Sequence, residues 1–295
     1  MSEITVVMAT YNGEQYLKEQ IQSILDQSMP PVSILIFDDG SNDESEQIAD
    51  SFDSDLIHFH VNEKNKGVTK NFIDGILATK TPYIALADQD DIWEPQKLEK
   101  TYHELINIQK ADKPAVVFSD LCVIDQNNQT VSSSFWAEIG IGNYEFCLDT
   151  LLFGNFMTGC TLLMNHQIKS YLERIQHDTD IHDAWIALIA YTFGNASGLR
   201  EPLVRYRQHQ SNLTFSTGTE KRDFKFKLLK HLEYLQHPER YLHERTTLIA
   251  AFLDSFKADI PESLHGKFQS FLKLKNRGYL TQKLAMRKTF APYWR

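Results

Sequence analysis

Cysteine is scarce in this 295-residue chain: Cys122, Cys147 and Cys160 are odd in number and widely spaced. That excludes a disulfide framework and meets no zinc-ligand spacing, so the three read as reduced packing thiols of a cytosolic protein. Long apolar runs are missing too, since nothing approaches the roughly 18 residues of a membrane span. The first residues enter a strand pattern at once, which leaves no room for a signal peptide and makes the sequons at Asn128, Asn195 and Asn212 idle. No Gly-x-Gly-x-x-Gly and no phosphate-loop lysine motif occurs, which disfavours ordinary dinucleotide enzymes and P-loop ATPases. Positive charge is short over most of the chain. The net charge is −9, but residues 1–219 hold 14 Lys and Arg against 31 Asp and Glu, whereas residues 220–295 hold 16 against 8. An acidic body of this kind is no nucleic-acid binder, and the basic tail implies a different partner.

What is present is a strand-helix alternation. Ile4–Ala9, Ser33–Phe37, His58–Val61, Tyr83–Ala87 and Ala115–Ser119 read as β-branched or small apolar strands. Between them, Glu14–Gln27, Asp43–Phe52, Thr69–Thr79 and Pro95–Gln109 have helical spacing. Short connections throughout predict an open, mostly parallel α/β sheet, in which ligands sit beyond the carboxyl ends of the strands. Thr10, Tyr11, Asn12, Asp38, Asp39, Asn65, Lys66, Asp88, Asp90 and Asp91 all follow strand ends. Beyond Asp120 the alternation fades. Ser132–Tyr144 reads as a loop offering Phe135 and Trp136 for stacking, His182–Phe193 as a helix, and Leu203–His209 as a strand. From Glu220 the chain reads as basic helices.

The run Tyr83 to Trp93 carries the strongest chemical signal. A buried strand ends in three carboxylates within four positions, Asp88, Asp90 and Asp91. Packed together and desolvated, they repel one another. A helix N-cap and an acidic first turn would account for one or two of them, not for three. A divalent cation removes the objection, and Mg²⁺ or Mn²⁺ favours carboxylate oxygen combined with phosphate and water. The strand-end crevice thus suits a nucleotide whose diphosphate is held by a cation. His177, Asp178, Asp180 and His182 resemble a zinc cluster only superficially and read as a solvated loop.

Four pieces occur in order: Ala9-Thr10-Tyr11-Asn12-Gly13, Asp38-Asp39-Gly40-Ser41-x-Asp43, Asn65-Lys66-Gly67-x-x-x-Asn71 and Asp88-Gln89-Asp90-Asp91. Over residues 3–215 the chain resembles the family 2 glycosyltransferases, inverting enzymes with the GT-A fold. Asp-Gln-Asp-Asp-Ile-Trp, Asn155-x-x-x-Gly159-Cys160-Thr161 and Tyr206-Arg207-Gln208-His209-x-Ser211-Asn212 look most like its bacterial rhamnosyltransferase branch. The resemblance implies a 1–219 GT-A domain, split into a nucleotide-sugar half (1–120) and an acceptor half (121–219), with a helical appendage over 220–295. It places Thr10, Tyr11, Asn12, Asp39 and Lys66 on the donor, with Asp88 and Asp91 beside it. Asp88, Asp90 and His209 would hold Mg²⁺ or Mn²⁺, and Asp183 matches the catalytic base. Trp93, Gly159, Cys160, His182, Trp185 and Arg207 would line the sugar or acceptor pocket. The implied donor is a dTDP- or UDP-linked sugar, with dTDP-L-rhamnose first. The implied acceptor is a saccharide on a lipid carrier, in cell-wall or surface polysaccharide synthesis. The chain lacks the Gln-x-x-Arg-Trp of processive synthases.

Two rivals stand beside this reading, a nucleotidyltransferase and a non-catalytic sugar-nucleotide module. The first would need a Gly-rich, Lys/Arg-bearing loop after the first strand, which is absent. The basic amphipathic stretch 265–295 has two readings, a helix on the anionic inner face of the cell membrane, or packing on the body or a second subunit in a homo-oligomer.

Overall fold

The computed structural model describes residues 3–175, 182–209 and 224–293. The chain divides into two compact units. The first comprises Met1–Ile139 with Met157–Arg207, the second Gly140–Phe156 with Gln208–Arg295.

The first unit is built on a nine-stranded sheet: β1 (Ile4–Thr10), β2 (Ser33–Asp38), β3 (Ile57–Val61), β4 (Tyr83–Asp88), β5 (Ile92–Trp93), β6 (Ala115–Ile124), β7 (Thr130–Ser132), β8 (Leu163–Asn165) and β9 (Asn195–Arg207). Its spatial order is β3-β2-β1-β4-β8-β6-β9-β5, with β7 on β6. The expected parallel order holds for β3, β2, β1 and β4, while β8 runs antiparallel between β4 and β6. Helices α1 (Leu17–Leu25), α2 (Ser45–Asp50), α3 (Val68–Ala78), α4 (Lys97–Ile108), α5 (Phe135–Glu138), α7 (Lys169–Leu172) and α8 (His182–Phe193) belong to this unit. Strand β1 is buried at every residue, the pattern of a strand covered on both faces.

The sequence reading and the structure part company past Asp120. Strand β6 continues to Ile124, so Asp120 lies inside a strand. Its carboxylate accepts hydrogen bonds from the Trp136 amide (3.1 Å) and the Ser134 hydroxyl (2.5 Å), which fixes the start of α5. Trp136 is therefore not available for stacking. It is 1% exposed and packs edge-on to Phe118. The residues 177, 178 and 180 of the supposed loop, and 211 and 212 of the late motif, lie outside the described residues.

The second unit is helical: α6 (Leu148–Phe153), α9 (Phe224–Gln236), α10 (His243–Phe256), α11 (Glu262–Leu272) and α12 (Tyr279–Phe290). Residues 140–156 were expected to serve the acceptor half, but they pack here. Phe153 meets Phe271 and Phe290 edge-on, Arg245 donates to the carbonyls of Leu151 and Leu152, and Lys267 pairs with Asp149. Aromatic burial of this kind decides which body a short segment joins. No helix among the described residues is long and apolar enough to cross a membrane.

Candidate functional site

Strand register assembles the site. Thr10 lies opposite Asp38 across β1 and β2, and Ala9 opposite Asp88 across β1 and β4, so three polar strand ends meet at one edge of the sheet. The loop after β1 turns through Asn12, whose φ is +50°. It is tied to the loop after β2: the Asn12 amide donates to the Ser41 hydroxyl (2.8 Å), and the Asn12 side-chain oxygen accepts from the Asn42 amide (3.0 Å). Tyr11 stands 48% exposed on this turn.

Asp39 is 4% exposed. Its carboxylate accepts from the amides of Lys66 (2.7 Å) and Gly67 (2.8 Å) and from the Asn62 side chain (3.1 Å). The Asn65-Lys66-Gly67 piece thus meets Asp39 through its backbone. The Lys66 ammonium instead pairs with Asp74 at 3.2 Å.

Gln89, between Asp88 and Asp90, carries no mark in the sequence of what it does. Its side-chain oxygen accepts from the Thr10 hydroxyl (2.6 Å) and the Tyr11 amide (2.8 Å), and its nitrogen donates to the Tyr11 carbonyl (3.2 Å). One residue of the acidic run therefore fixes the backbone of the loop after β1.

Around the carboxylates, Asp88, Asp91 and Cys160 bring potential ligand atoms within 4.8 Å of one another. Burial, with the charges of Asp90 and Asp183, pushes Asp88 up to about 7. Asp183, in the first turn of α8, is thereby placed in the field of the strand-end cluster, although 95 residues separate the two in sequence. Burial and the charges of Asp90 and Asp88 also push Asp91 well above the ordinary carboxylate range, against the pull of the Arg207 amide. Burial beside Asp91 and Asp88 keeps the Cys160 thiol protonated. Mutual repulsion among carboxylates with no cation between them is the condition a divalent metal relieves, and the oxygen donors fit Mg²⁺ or Mn²⁺. A neutral thiol adds little for so hard an ion.

Several expected pocket residues are placed in the core. Asp91, Cys160 and Trp185 are 0% exposed, Arg207 1% and Trp93 2%. No sugar reaches them as they stand. Arg207 is fully engaged: its amide donates to Asp91 (3.1 Å), its Nε to the Asp90 carbonyl (2.8 Å), its head to Glu19 (2.7 Å) and Asn128, and it stacks over Tyr16. It braces the acidic loop from behind. His182 is 9% exposed and stacks on Phe72 at 4.3 Å, where burial lowers it to about 4 and keeps it neutral. His209 belongs to the second unit. Lys97, which opens α4, is 0% exposed with its ammonium 3.4 Å from the centroid of the Trp93 ring, although a lysine opening a helix reads as a solvated charge and nothing in its spacing marks it as buried.

The sequence model described as Glycosyl transferase family 2 matches residues 5–164, more than half of the chain. An uncharacterized glycosyltransferase of Methanocaldococcus jannaschii is 30% identical over 214 residues, 69% of this chain and 70% of that protein. An uncharacterized glycosyltransferase of Rickettsia typhi is 26% identical over 221 residues, and the match spans 72% of this chain but only 65% of that relative. The Bacillus subtilis protein named teichuronic acid biosynthesis glycosyltransferase TuaG is 23% identical over 237 residues, 79% of this chain and 90% of its own length. Among solved structures, S. aureus TarS residues 1–349 with UDP-GlcNAc superposes over all of this chain and 76% of that one, with a TM-score of 0.62 at 15% identity, a likeness of fold. On the matched family and the shared GT-A architecture, this chain belongs to glycosyl transferase family 2.

Proposed function

We propose that this chain is a metal-dependent, inverting glycosyltransferase that moves a sugar from a nucleoside diphosphate to a saccharide acceptor in cell-wall or surface polysaccharide synthesis. The observation that carries the reading is the charge of Asp183 bearing on Asp88 at the strand ends, in the same unit as the loops after β1 and β2 that present Tyr11 and Asp39. Tyr11 stacks on the pyrimidine, Asp39 accepts from its N–H, and Asn12 and Lys66 lie along the nucleotide. Asp88 and Asp90 hold Mg²⁺ or Mn²⁺, which when bound stabilises negative charge on the departing diphosphate. Asp183 takes the proton of the acceptor hydroxyl from the face opposite the leaving group, and attack from that face inverts the anomeric centre. Names of the relatives support the setting: TuaG carries teichuronic acid biosynthesis in its name, and TarS was solved with UDP-GlcNAc.

The donor we favour is dTDP-L-rhamnose, with a UDP-hexose as the alternative, and the acceptor rests on a lipid carrier at the inner face of the cell membrane. On α12, Leu280 and Leu284 are 64% and 53% exposed, one turn apart, beside Lys283, Arg287 and Lys288, which supports a peripheral hold on anionic lipid. A thermal-shift screen of nucleotide sugars with and without Mn²⁺ tests donor, base and metal together. Asp183→Asn then separates binding from chemistry. It should keep the donor-dependent shift and lose transfer by roughly 10²–10⁴-fold. Unimpaired transfer by that variant defeats the assignment of Asp183.

A further inference from the structure

Side chains hold the loop after β1 along its backbone. Four consecutive amides, those of Tyr11, Asn12, Gly13 and Glu14, each donate to a side-chain oxygen: Gln89 Oε1 (2.8 Å), Ser41 Oγ (2.8 Å), Ser45 Oγ (2.9 Å) and Asp43 Oδ2 (2.9 Å). The two hydroxyls are fixed as acceptors, because Ser41 donates its own proton to Asp38 and Ser45 donates to Asp43 Oδ1 (2.6 Å). Bonds run the other way too. Asn12 Oδ1 accepts from the Asn42 amide (3.0 Å) and Glu14 Oε2 from the Glu44 amide (3.1 Å), so the loops after β1 and β2 interlock. Tyr11, Asn12 and Glu14 are exposed, and water alone would satisfy their amides. A protein acceptor for each one in turn therefore serves position. A loop that cradles phosphate does the opposite, leaving successive N–H groups aimed at the anion.

We propose that Ser41, Asp43 and Ser45 are positioning residues for the donor, which preset the loop after β1 to read the nucleoside and leave none of the amides of residues 11–14 for its diphosphate. The donor role rests on the nucleotide-sugar reading above, but the interlock itself does not. In that reading Tyr11 and Asp39 meet one base from two loops. Interlocking fixes their separation before the base arrives, which removes an ordering cost from binding. Gly13 belongs to the same device. A Cβ there would lie 2.6 Å from Gln89 Oε1 and 2.8 Å from Thr10 Oγ1, so the Gln89 side chain reaches the Tyr11 amide only across a glycine. The diphosphate is then held by groups outside these four residues.

The test uses the full chain with Ser41→Ala, with Ser41→Ala and Asp43→Ala combined, and with Ser41→Thr, which keeps the hydroxyl. Kd is measured for uridine and thymidine, for their monophosphates and for their diphosphates, at saturating Mn²⁺. Ser41→Ala should weaken nucleoside, monophosphate and diphosphate by the same factor, about 3–10-fold, and the double variant by about 10-fold or more. Ser41→Thr should recover the binding. A loss that grows with each phosphate would put the loop on the diphosphate and overturn the proposal, as would variants that bind like the unaltered chain. Amide hydrogen exchange in the free chain reads the interlock without a ligand. The Asn12 and Glu14 amides should exchange at least ~10²-fold more slowly than unprotected ones, and Ser41→Ala should release Asn12 first. Unprotected exchange at both would mean that the loop is not preset. A chain that binds none of these probes would refute the nucleotide reading and the donor role with it, and exchange would still decide the interlock.

Discussion

Gly159 and His182 occupy one space: a Cβ placed on Gly159 would lie 2.7 Å from His182 Nε2. The imidazole is wedged between that glycine and the ring of Phe72, and the next residue in the chain is Asp183. The glycine expected to line the sugar pocket thus bears on function through the histidine it admits. Gly159→Ala should push the His182 ring from its seat and displace the start of α8, where Asp183 sits. We expect a stability loss of about 1–3 kcal/mol and a fall in turnover of at least ~10-fold, with donor affinity little changed. Denaturant melts and a kcat-against-KM comparison check it. A fall in donor affinity alone would contradict it.

The clamp that Gln89 places on Thr10 and Tyr11 gives a prediction of the opposite kind. Gln89→Leu keeps the volume and removes the acceptor for the Tyr11 amide and the Thr10 hydroxyl. The stacking loop then loses its fixed backbone. Donor KM should rise by about 5–30-fold, roughly the worth of one or two hydrogen bonds, with kcat less affected. Isothermal titration with the nucleoside diphosphate reads the same loss without the reaction.

How much of this was legible in the sequence depends on the range over which each residue acts. The parallel strands β1 to β4 and the helices between them follow from apolar periodicity and turn residues, which are local, and so does the clustering of polar groups at strand ends. The places of Tyr11 and Asp39, just past the ends of β1 and β2, were readable for the same reason. What escaped depends on distant partners. Trp136 looked exposed because nothing near it in sequence tells of Phe118 or of the Asp120 carboxylate. Lys97 and Arg207 looked like surface or ligand charges because what meets them arrives from β5, from the turn after β4 and from α1. A charged side chain carries no sequence mark of whether water or another buried charge will meet it.

Exposed leucines on α12 set up a prediction independent of the active site. Leu280→Glu with Leu284→Glu removes two exposed apolar side chains and adds negative charge beside Lys283, Arg287 and Lys288. Binding to vesicles containing phosphatidylglycerol should weaken by about 10-fold or more in sedimentation assays, and binding of the unaltered chain should weaken with salt. Should the vesicle assay show no binding by the unaltered chain, and the double variant change elution volume in gel filtration, the face would belong to a second copy of the chain.

The acidic cluster finally fixes how stability should respond to pH and metal. Asp88 is pushed up to about 7 in the fold, above the ordinary 3.8. A carboxyl raised in the folded state gives its full contribution below pH ~4 and loses it as pH rises through about 7. In chelator, then, this group makes the chain less stable at pH 7.5 than at pH 5.5. His182, lowered to about 4, works the other way, contributing above pH ~6.5 and losing that as pH falls through about 4. The measure that isolates the carboxylates is therefore the difference between Mn²⁺ and chelator at each pH. A cation favours the ionised form, so binding releases protons and its stabilisation grows with pH. We expect a midpoint shift of about 5 °C or more at pH 7.5 with saturating Mn²⁺ and a much smaller one at pH 5.5. Asp88→Asn should flatten that dependence. A Mn²⁺ shift equal at both pH values would mean that the ion binds away from the strand ends.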